Sequence, residues 1–328
     1  MNRQILVTGR LPQDIMTGLS KKYEAVINIE DKPFDRQKLL DGIKDKEGLL
    51  SMITDTVDEE VLDRADHLKM IAQFGVGYNN IDVQAATARG ILVSNTPGVL
   101  TDATAELAFA LILAISRRLV EGDRMTREGR FRCWAPMLFL GREVTGKTLG
   151  VIGMGKIGKA VAQRARCFNM PILYHNRSRM SKSEEKELMA KYVDMKTLLA
   201  QADFISLHVP LTDQTRHLIG SKELSLMKPT AYLINTSRGP VVDEKALLQA
   251  LRKKKIGGAG LDVYENEPAL TPGLVELENV ILLPHVGSGT LETRFRMASM
   301  AVENLIAGLS GKVPPNLVNP EVLPKRRL

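Results

Sequence analysis

The stretch Gly153-Met154-Gly155-Lys156-Ile157-Gly158 decides the fold, because of what it contains and where it lies. It follows an apolar run, Thr148 to Ile152, that reads as a buried parallel strand. It opens a helical pattern, Lys156 to Cys167, with Ile157, Ala160, Val161 and Ala165 on one side. A strand, a glycine turn and a helix N-terminus in succession form a dinucleotide pyrophosphate site. The glycines admit the phosphates to backbone N–H groups, and the helix end favours their negative charge. All six residues from Gly153 to Gly158 are therefore candidates for the cofactor. Because the fingerprint begins near mid-chain, the residues before it must build a second body of comparable size.

Working outward, the alternation of strand and helix continues in both directions. Downstream, strands are expected at 148–152, 171–175, 203–207, 231–235, 257–261 and 279–283, the pattern of a doubly wound nucleotide-binding domain. Upstream, the runs at 5–7, 48–50, 70–72 and 91–93 read as strands, with helices near 12–20, 58–65 and 82–89. That is a βαβ alternation, hence a second parallel sheet. Asn95-Thr96-Pro97-Gly98 breaks the chain, and Asp102 is placed to cap a nearly all-apolar helix from about 103 to 118. A last long helix, near 290–309, has no sheet of its own and must return to the first body. The expected fold is α/β, with two flavodoxin- or Rossmann-like domains. The substrate domain is discontinuous, 1–97 plus 285–328, around a dinucleotide-binding domain at 98–284.

Composition narrows the function. The 328 residues carry 45 basic and 38 acidic side chains, and this +7 balance is spread along the chain rather than gathered into a nucleic-acid footprint. Arg252 to Lys255 ends a predicted helix, where cations suit the dipole, and Lys325 to Arg327 reads as a solvated tail. The longest strongly apolar stretch, Leu107 to Ile115, falls short of the roughly 20 residues that span a bilayer. Cys133 and Cys167 form no metal-ligand spacing with histidine, so no metal is expected. Two cysteines in a chain of this size point to a reducing compartment, the cytoplasm.

Three polar residues each follow a predicted strand in a Gly- or Pro-marked turn: Arg238, Glu267 and His285. Ligands of open α/β sheets bind at the carboxyl ends of strands, where these side chains would converge. Reduction of a 2-keto acid needs a hydride from the cofactor, a proton donor and a cation for the carboxylate. His285 suits the proton, Glu267 would orient and stabilise its imidazolium, and Arg238 offers a planar fork to the substrate. In the first body, Phe74 to Tyr78 follows a strand, and its N–H groups form a candidate anion nest. His175 fits either an adenosine pocket or a structural role, while His208 and His217 read as loop or packing residues. The strand ending at His175 runs into Asn176-Arg177-Ser178-Arg179, with no acid until Glu184. An acid there would hold a ribose 2′-hydroxyl; Asn176 tolerates a 2′-phosphate, which Arg177, Ser178 and Arg179 could bind. NADP is the expected cofactor, with NAD as the alternative.

The chain resembles the D-2-hydroxyacid dehydrogenase family, and within it the glyoxylate/hydroxypyruvate reductase branch. The resemblance rests on Gly75 to Asp82, Asn95 to Gly98, Thr101 to Leu107, the glycine fingerprint and the three segments bearing Arg238, Glu267 and His285. It implies two flavodoxin-like halves, homodimers, and catalytic roles for those three residues. It further implies that Thr104, Pro210, Thr236, Ser237, Asp262 and Gly287 line the cofactor together with Arg238 and His285. Val76 and Gly77 would hold the substrate carboxylate with Arg238 and His285. Glu267 argues against a formate dehydrogenase, whose branch carries glutamine. Other readings are a D-lactate-type or phosphoglycerate dehydrogenase, or a dinucleotide-sensing corepressor. The segment 119–146, with Phe131, Trp134, Met137, Leu138 and Phe139, is expected at the dimer interface, and the resemblance raises Trp134 as a neighbour of the partner's pocket.

Overall fold

The computed structural model describes residues 3–327, which divide into two compact units, one running to residue 100 and resuming at 289, the other spanning 101–288. Set against the sequence boundaries at 97/98 and 284/285, the first crossing lies three residues later and the second four. His285 consequently belongs to the unit that carries the glycine fingerprint.

The first unit holds five strands: β1 (Gln4–Val7), β2 (Glu24–Ile27), β3 (Gly48–Met52), β4 (Met70–Phe74) and β5 (Leu92–Ser94). They are all parallel in the order β2-β1-β3-β4-β5, the flavodoxin arrangement. Interior strands are continuous apolar runs because both faces are covered; Ile5, Leu6 and Val7 are fully buried. The edge strand β2 is absent from the sequence expectations, since it alternates exposed and half-buried residues and makes no apolar run. Aspartates at three helix starts, Asp35, Asp58 and Asp82, each accept the amide of the third helical residue. Helix Leu291–Leu309 packs on β3 and β4, which returns the end of the chain to the first sheet.

The expectation of a solvated tail needs correction. Asn319, fully buried, donates to Thr87 and to the Ile91 carbonyl and accepts from the Val93 amide. Arg327 donates from Nη1 to the carbonyls of Ala65, Asp66 and Leu68. These carbonyls lie in the turn before β4, where Ala65 also accepts the Leu68 amide, and the guanidinium supplies a charged donor to all three.

The second unit holds β6 (Leu149–Ile152), β7 (Ile172–His175), β8 (Ala190–Tyr192), β9 (Phe204–Leu207), β10 (Tyr232–Asn235), β11 (Gly258–Leu261) and β12 (Val280–Leu282). The order β12-β11-β10-β9-β6-β7-β8 is doubly wound and parallel throughout, with its switch between β6 and β9. The short edge strand β8 was not anticipated; Lys191 at its centre is exposed. Helix Thr101–Ser116 packs on helix Lys156–Arg166 and on β10 and β11, which explains its apolar girth. Asp102 does not cap it; it sits inside the first turn, and its carboxylate meets Arg164 at 3.2 Å. An additional helix, Leu119–Arg127, occupies part of the segment expected to be more than a linker.

Candidate active site

The glycine turn follows β6 at the switch point, and its three glycines do three different jobs. Gly153 has φ +96°, and a Cβ there would lie 2.6 Å from the backbone of His208, so the turn needs glycine for both conformation and clearance. A Cβ on Gly158 would meet the Gly153 carbonyl at 2.3 Å, which lets the helix start directly under the strand. Gly155 faces open space. The amides of Gly155, Lys156, Ile157 and Gly158 have no hydrogen-bond partner among the described residues, as expected of a helix N-terminus. An anion therefore meets an open backbone and four donors, and the residues fit a dinucleotide pyrophosphate.

The end of β7 completes this side. Asn176 Oδ1 accepts the Met154 amide at 2.6 Å and so ties the glycine turn to the neighbouring strand end. Arg177 and Ser178 are exposed, and Arg177 has no side-chain partner among the described residues. Arg179 is different. Its guanidinium makes two bonds to Glu185, at 2.7 and 2.8 Å, and lies over the Tyr192 ring, so it is engaged within the fold. His175 is also structural here: Nδ1 faces the Val193 carbonyl at 3.0 Å, and the ring stacks on Tyr192.

On the other half of the sheet, Arg238, Glu267 and His285 follow β10, β11 and β12, three adjacent parallel strands. The structure brings all three together. Glu267 Oε2 lies 2.8 Å from His285 Nδ1, and Oε1 accepts the Tyr264 amide at 2.8 Å. Partial burial pushes the Glu267 carboxyl up, but the bond and charge of His285, the Tyr264 amide and the Arg238 charge outweigh it and hold it below the usual range. Burial pulls the Arg238 guanidinium down from its ordinary value, and the Glu267 charge opposes that.

The turns around them are specified by short polar residues. Asn235 accepts both the amide and the hydroxyl of Ser237 and donates to the Arg238 carbonyl, an Asx turn at the end of β10. The Thr236 hydroxyl is buried with no hydrogen-bond partner among the described residues, which leaves it open to a ligand. Asp262, almost fully buried, accepts the amides of Val286 and Gly287 at 2.7 Å each. Burial raises its carboxyl, opposed by those amides and by His285. Both oxygens are thus occupied by the backbone that carries His285, a residue in the left-handed region at φ 54°. Asp262, a candidate for lining the cofactor, clamps the histidine turn through these contacts. Thr104 is buried beside Gly287, and the Pro210 carbonyl accepts the Thr215 hydroxyl.

Asn235 and the clamping role of Asp262 escaped the sequence reading. The signal for the first was available, since an asparagine ending a strand before Thr-Ser-Arg-Gly is a turn former. The second pairs residues 25 apart and has no local signature.

In the first unit, the Val76 carbonyl accepts from Asn95 at 2.8 Å, and the Gly77 carbonyl faces Gln73 Nε2 at 3.4 Å. With the carbonyls so held, the amides of Val76 and Gly77 have no partner among the described residues. Consecutive free amides suit an anion.

The family model described as D-isomer specific 2-hydroxyacid dehydrogenase, NAD binding domain, matches residues 109–287. A glyoxylate reductase of Thermococcus litoralis is 51% identical over 98% of this chain and 98% of its own length. A crystal structure of a glyoxylate reductase from Paecilomyes thermophila aligns with TM-score 0.85 and 37% identity over 98% of this chain and 99% of that one. An NADPH-dependent glyoxylate/hydroxypyruvate reductase from Sinorhizobium meliloti, in complex with NADP and malonate, aligns with TM-score 0.85 and 33% identity, covering 100% of this chain and 99% of that one.

Proposed function

Since the chain belongs to the D-isomer-specific 2-hydroxyacid dehydrogenase family, we propose that it reduces glyoxylate to the achiral 2-hydroxyacetate and hydroxypyruvate to the D-2-hydroxy acid with NADPH. The observation that carries this reading is the 2.8 Å contact of His285 with Glu267, beside Arg238, at three adjacent strand ends. The dinucleotide, held by the open amides of 155–158 and by the Thr236 and Ser237 turn, supplies the hydride when bound.

The chain's own residues handle the remaining charge and proton. His285 Nδ1 is committed to Glu267, which leaves Nε2, without a partner among the described residues, to deliver a proton to the substrate oxygen. Glu267 stays ionised and stabilises the imidazolium before that transfer. Arg238 binds the carboxylate and polarises the carbonyl as a fixed, planar cation. The amides of Val76 and Gly77, in the first unit and without a partner among the described residues, are a separate anion-binding pair. Arg177 and Ser178 account for NADPH.

We further assign a homodimer, because Leu119, Val120, Phe131, Trp134, Met137 and Leu140 leave apolar surface exposed along one segment, with Trp134 80% exposed. Two free, exposed cysteines suit a reducing compartment, and no helix among the described residues is long and apolar enough to cross a membrane; we place the protein in the cytoplasm. The test is NADPH oxidation with glyoxylate, hydroxypyruvate, pyruvate and phosphohydroxypyruvate. Turnover led by the first two supports the reading. Preference for phosphohydroxypyruvate, or dinucleotide binding without turnover of any of the four, rejects it.

A further inference from the structure

A chain of polar contacts behind the active-site turns plays no part in the chemistry above. Glu244 opens helix Glu244–Arg252, six residues after Arg238, and is 2% exposed. Its Oε1 accepts the Glu265 amide at 2.5 Å, and its Oε2 accepts the Thr271 hydroxyl at 2.6 Å. Glu265 replies: its Oε2 accepts the Glu244 amide at 3.3 Å. The other oxygen, Oε1, meets His217 Nε2 at 2.6 Å. The His217 amide donates to the Pro240 carbonyl at 2.8 Å, and this residue holds a left-handed backbone at φ 51°.

Three loops are therefore joined, and two of them carry Arg238 and Glu267. The joint leaves little slack. A Cβ on Gly239 would sit 1.8 Å from the Tyr264 carbonyl carbon and oxygen and 2.4 Å from the Glu265 nitrogen. The residue after Arg238 thus lies directly on the backbone two residues before Glu267. Tyr264 in turn donates its amide to Glu267. A shift at Glu265 therefore bears on the backbone beside both side chains.

We propose that Glu244 and Glu265, with His217, are positioning residues that fix the separation of Arg238 and Glu267, and through Glu267 the orientation of His285. This rests on the catalytic reading of those three residues. The brace does not touch substrate; it acts by placing groups that do. Reciprocal bonding is what the task requires, because a buried carboxylate with both oxygens bound to another loop resists displacement of either loop.

The test uses the full-length protein with Glu265→Ala, Glu265→Gln, Glu244→Gln and His217→Ala. Glu265 is the principal site because its side chain reaches the surface, and glutamine at 244 keeps the buried volume where alanine could unfold the unit. Glu265→Ala is expected to lower kcat about tenfold and to raise the keto-acid KM, the scale of a small misplacement of reacting groups. The Kd for NADPH should stay within about twofold, and Glu265→Gln should restore most of the loss. Combined with Glu267→Gln, the Glu265→Ala effect should shrink, since the group it positions has already lost its charge. Independently of turnover, the ring 15N spectrum of His285 should change in Glu265→Ala toward that of Glu267→Gln. Unchanged kinetics, full additivity with Glu267→Gln, or a lowered Tm with an unaltered His285 spectrum overturns the proposal. If the wild type turns over no keto acid while the His285 spectrum still responds, the functional reading fails and the brace stands. If turnover is normal and the spectrum does not respond, the brace fails alone.

Discussion

Glu267 holds His285 by Nδ1 at 2.8 Å, and the same carboxylate is anchored by the Tyr264 amide at 2.8 Å, so the histidine is oriented by a residue that is itself fixed to backbone. The geometry assigns distinct tasks to the two side chains. On the proposed mechanism His285 moves the proton, and Glu267 sets which ring nitrogen faces the substrate and favours the charged ring.

Removal of either working group should stop the reaction while sparing the cofactor. His285→Ala and Arg238→Ala are expected to reduce kcat/KM for glyoxylate by about 10²-fold or more, the usual loss for a general acid. Neither side chain is needed to form the open amides of 155–158, so the Kd for NADPH, read by fluorescence, should change little. A His285→Ala enzyme that retained half of its activity would assign the proton to another donor.

The pH profile tests Glu267. Its carboxyl lies below the usual range, and it therefore remains charged throughout the range in which a histidine titrates. A negative neighbour favours the imidazolium, and Glu267→Gln removes that preference. Reduction uses the imidazolium, so activity falls as pH rises, and in Glu267→Gln that descending limb should move to lower pH. Oxidation of the D-2-hydroxy acid uses the neutral ring, and its ascending limb should move in the same direction. A limb that moved upward would contradict the assignment.

What was legible in the sequence follows from locality. The glycine turn, the buried parallel strands and the three turn residues each have a signature within a few positions, because β-strands buried on both faces must be continuous apolar runs and tight turns must be polar. Edge strands β2 and β8 lack such runs and were missed. Arg179 reads as a phosphate ligand because its loop is basic, yet Glu185, on the following helix, takes its Nε–Nη2 edge. The same holds for Asp262 and the turn at 286–287, for Asn319 with strand β5, and for Glu244 with Glu265. Each is a pairing of residues 6 to 226 positions apart, and hydrogen-bond partners at such separations leave no periodicity.

The exposed apolar segment 119–140 supports a prediction on assembly. Sedimentation at micromolar concentration should report about twice the 36.2 kDa chain mass. Phe139 is a poor site for disruption, since its ring packs under Arg118 at 4.1 Å within the same chain. Trp134 and Met137, 80% and 81% exposed, are better ones. The pair Trp134→Ser with Met137→Ser should shift the protein toward monomer without lowering the helical signal. A wild-type monomer would reject the interface.

Cofactor choice rests on one strand end. An acid at the end of β7 would repel a 2′-phosphate, and Asn176 stands there, with Oδ1 turned inward to the Met154 amide. Arg177, exposed and without a partner among the described residues, is the cation available to the phosphate; Arg179, tied to Glu185, contributes less. NADPH should therefore exceed NADH by at least about tenfold in kcat/KM, a difference of only about 1.4 kcal/mol. Arg177→Ala should remove most of that preference, whereas Arg179→Ala should remove little of it and should instead lower Tm by freeing Glu185. Adding Asn176→Asp to Arg177→Ala should reverse the order, because an aspartate can still accept the Met154 amide with one oxygen while the other meets a ribose hydroxyl. Equal efficiency with NADH in the unmodified enzyme would reject the assignment of Arg177, and a larger loss from Arg179→Ala than from Arg177→Ala would transfer it to the other arginine.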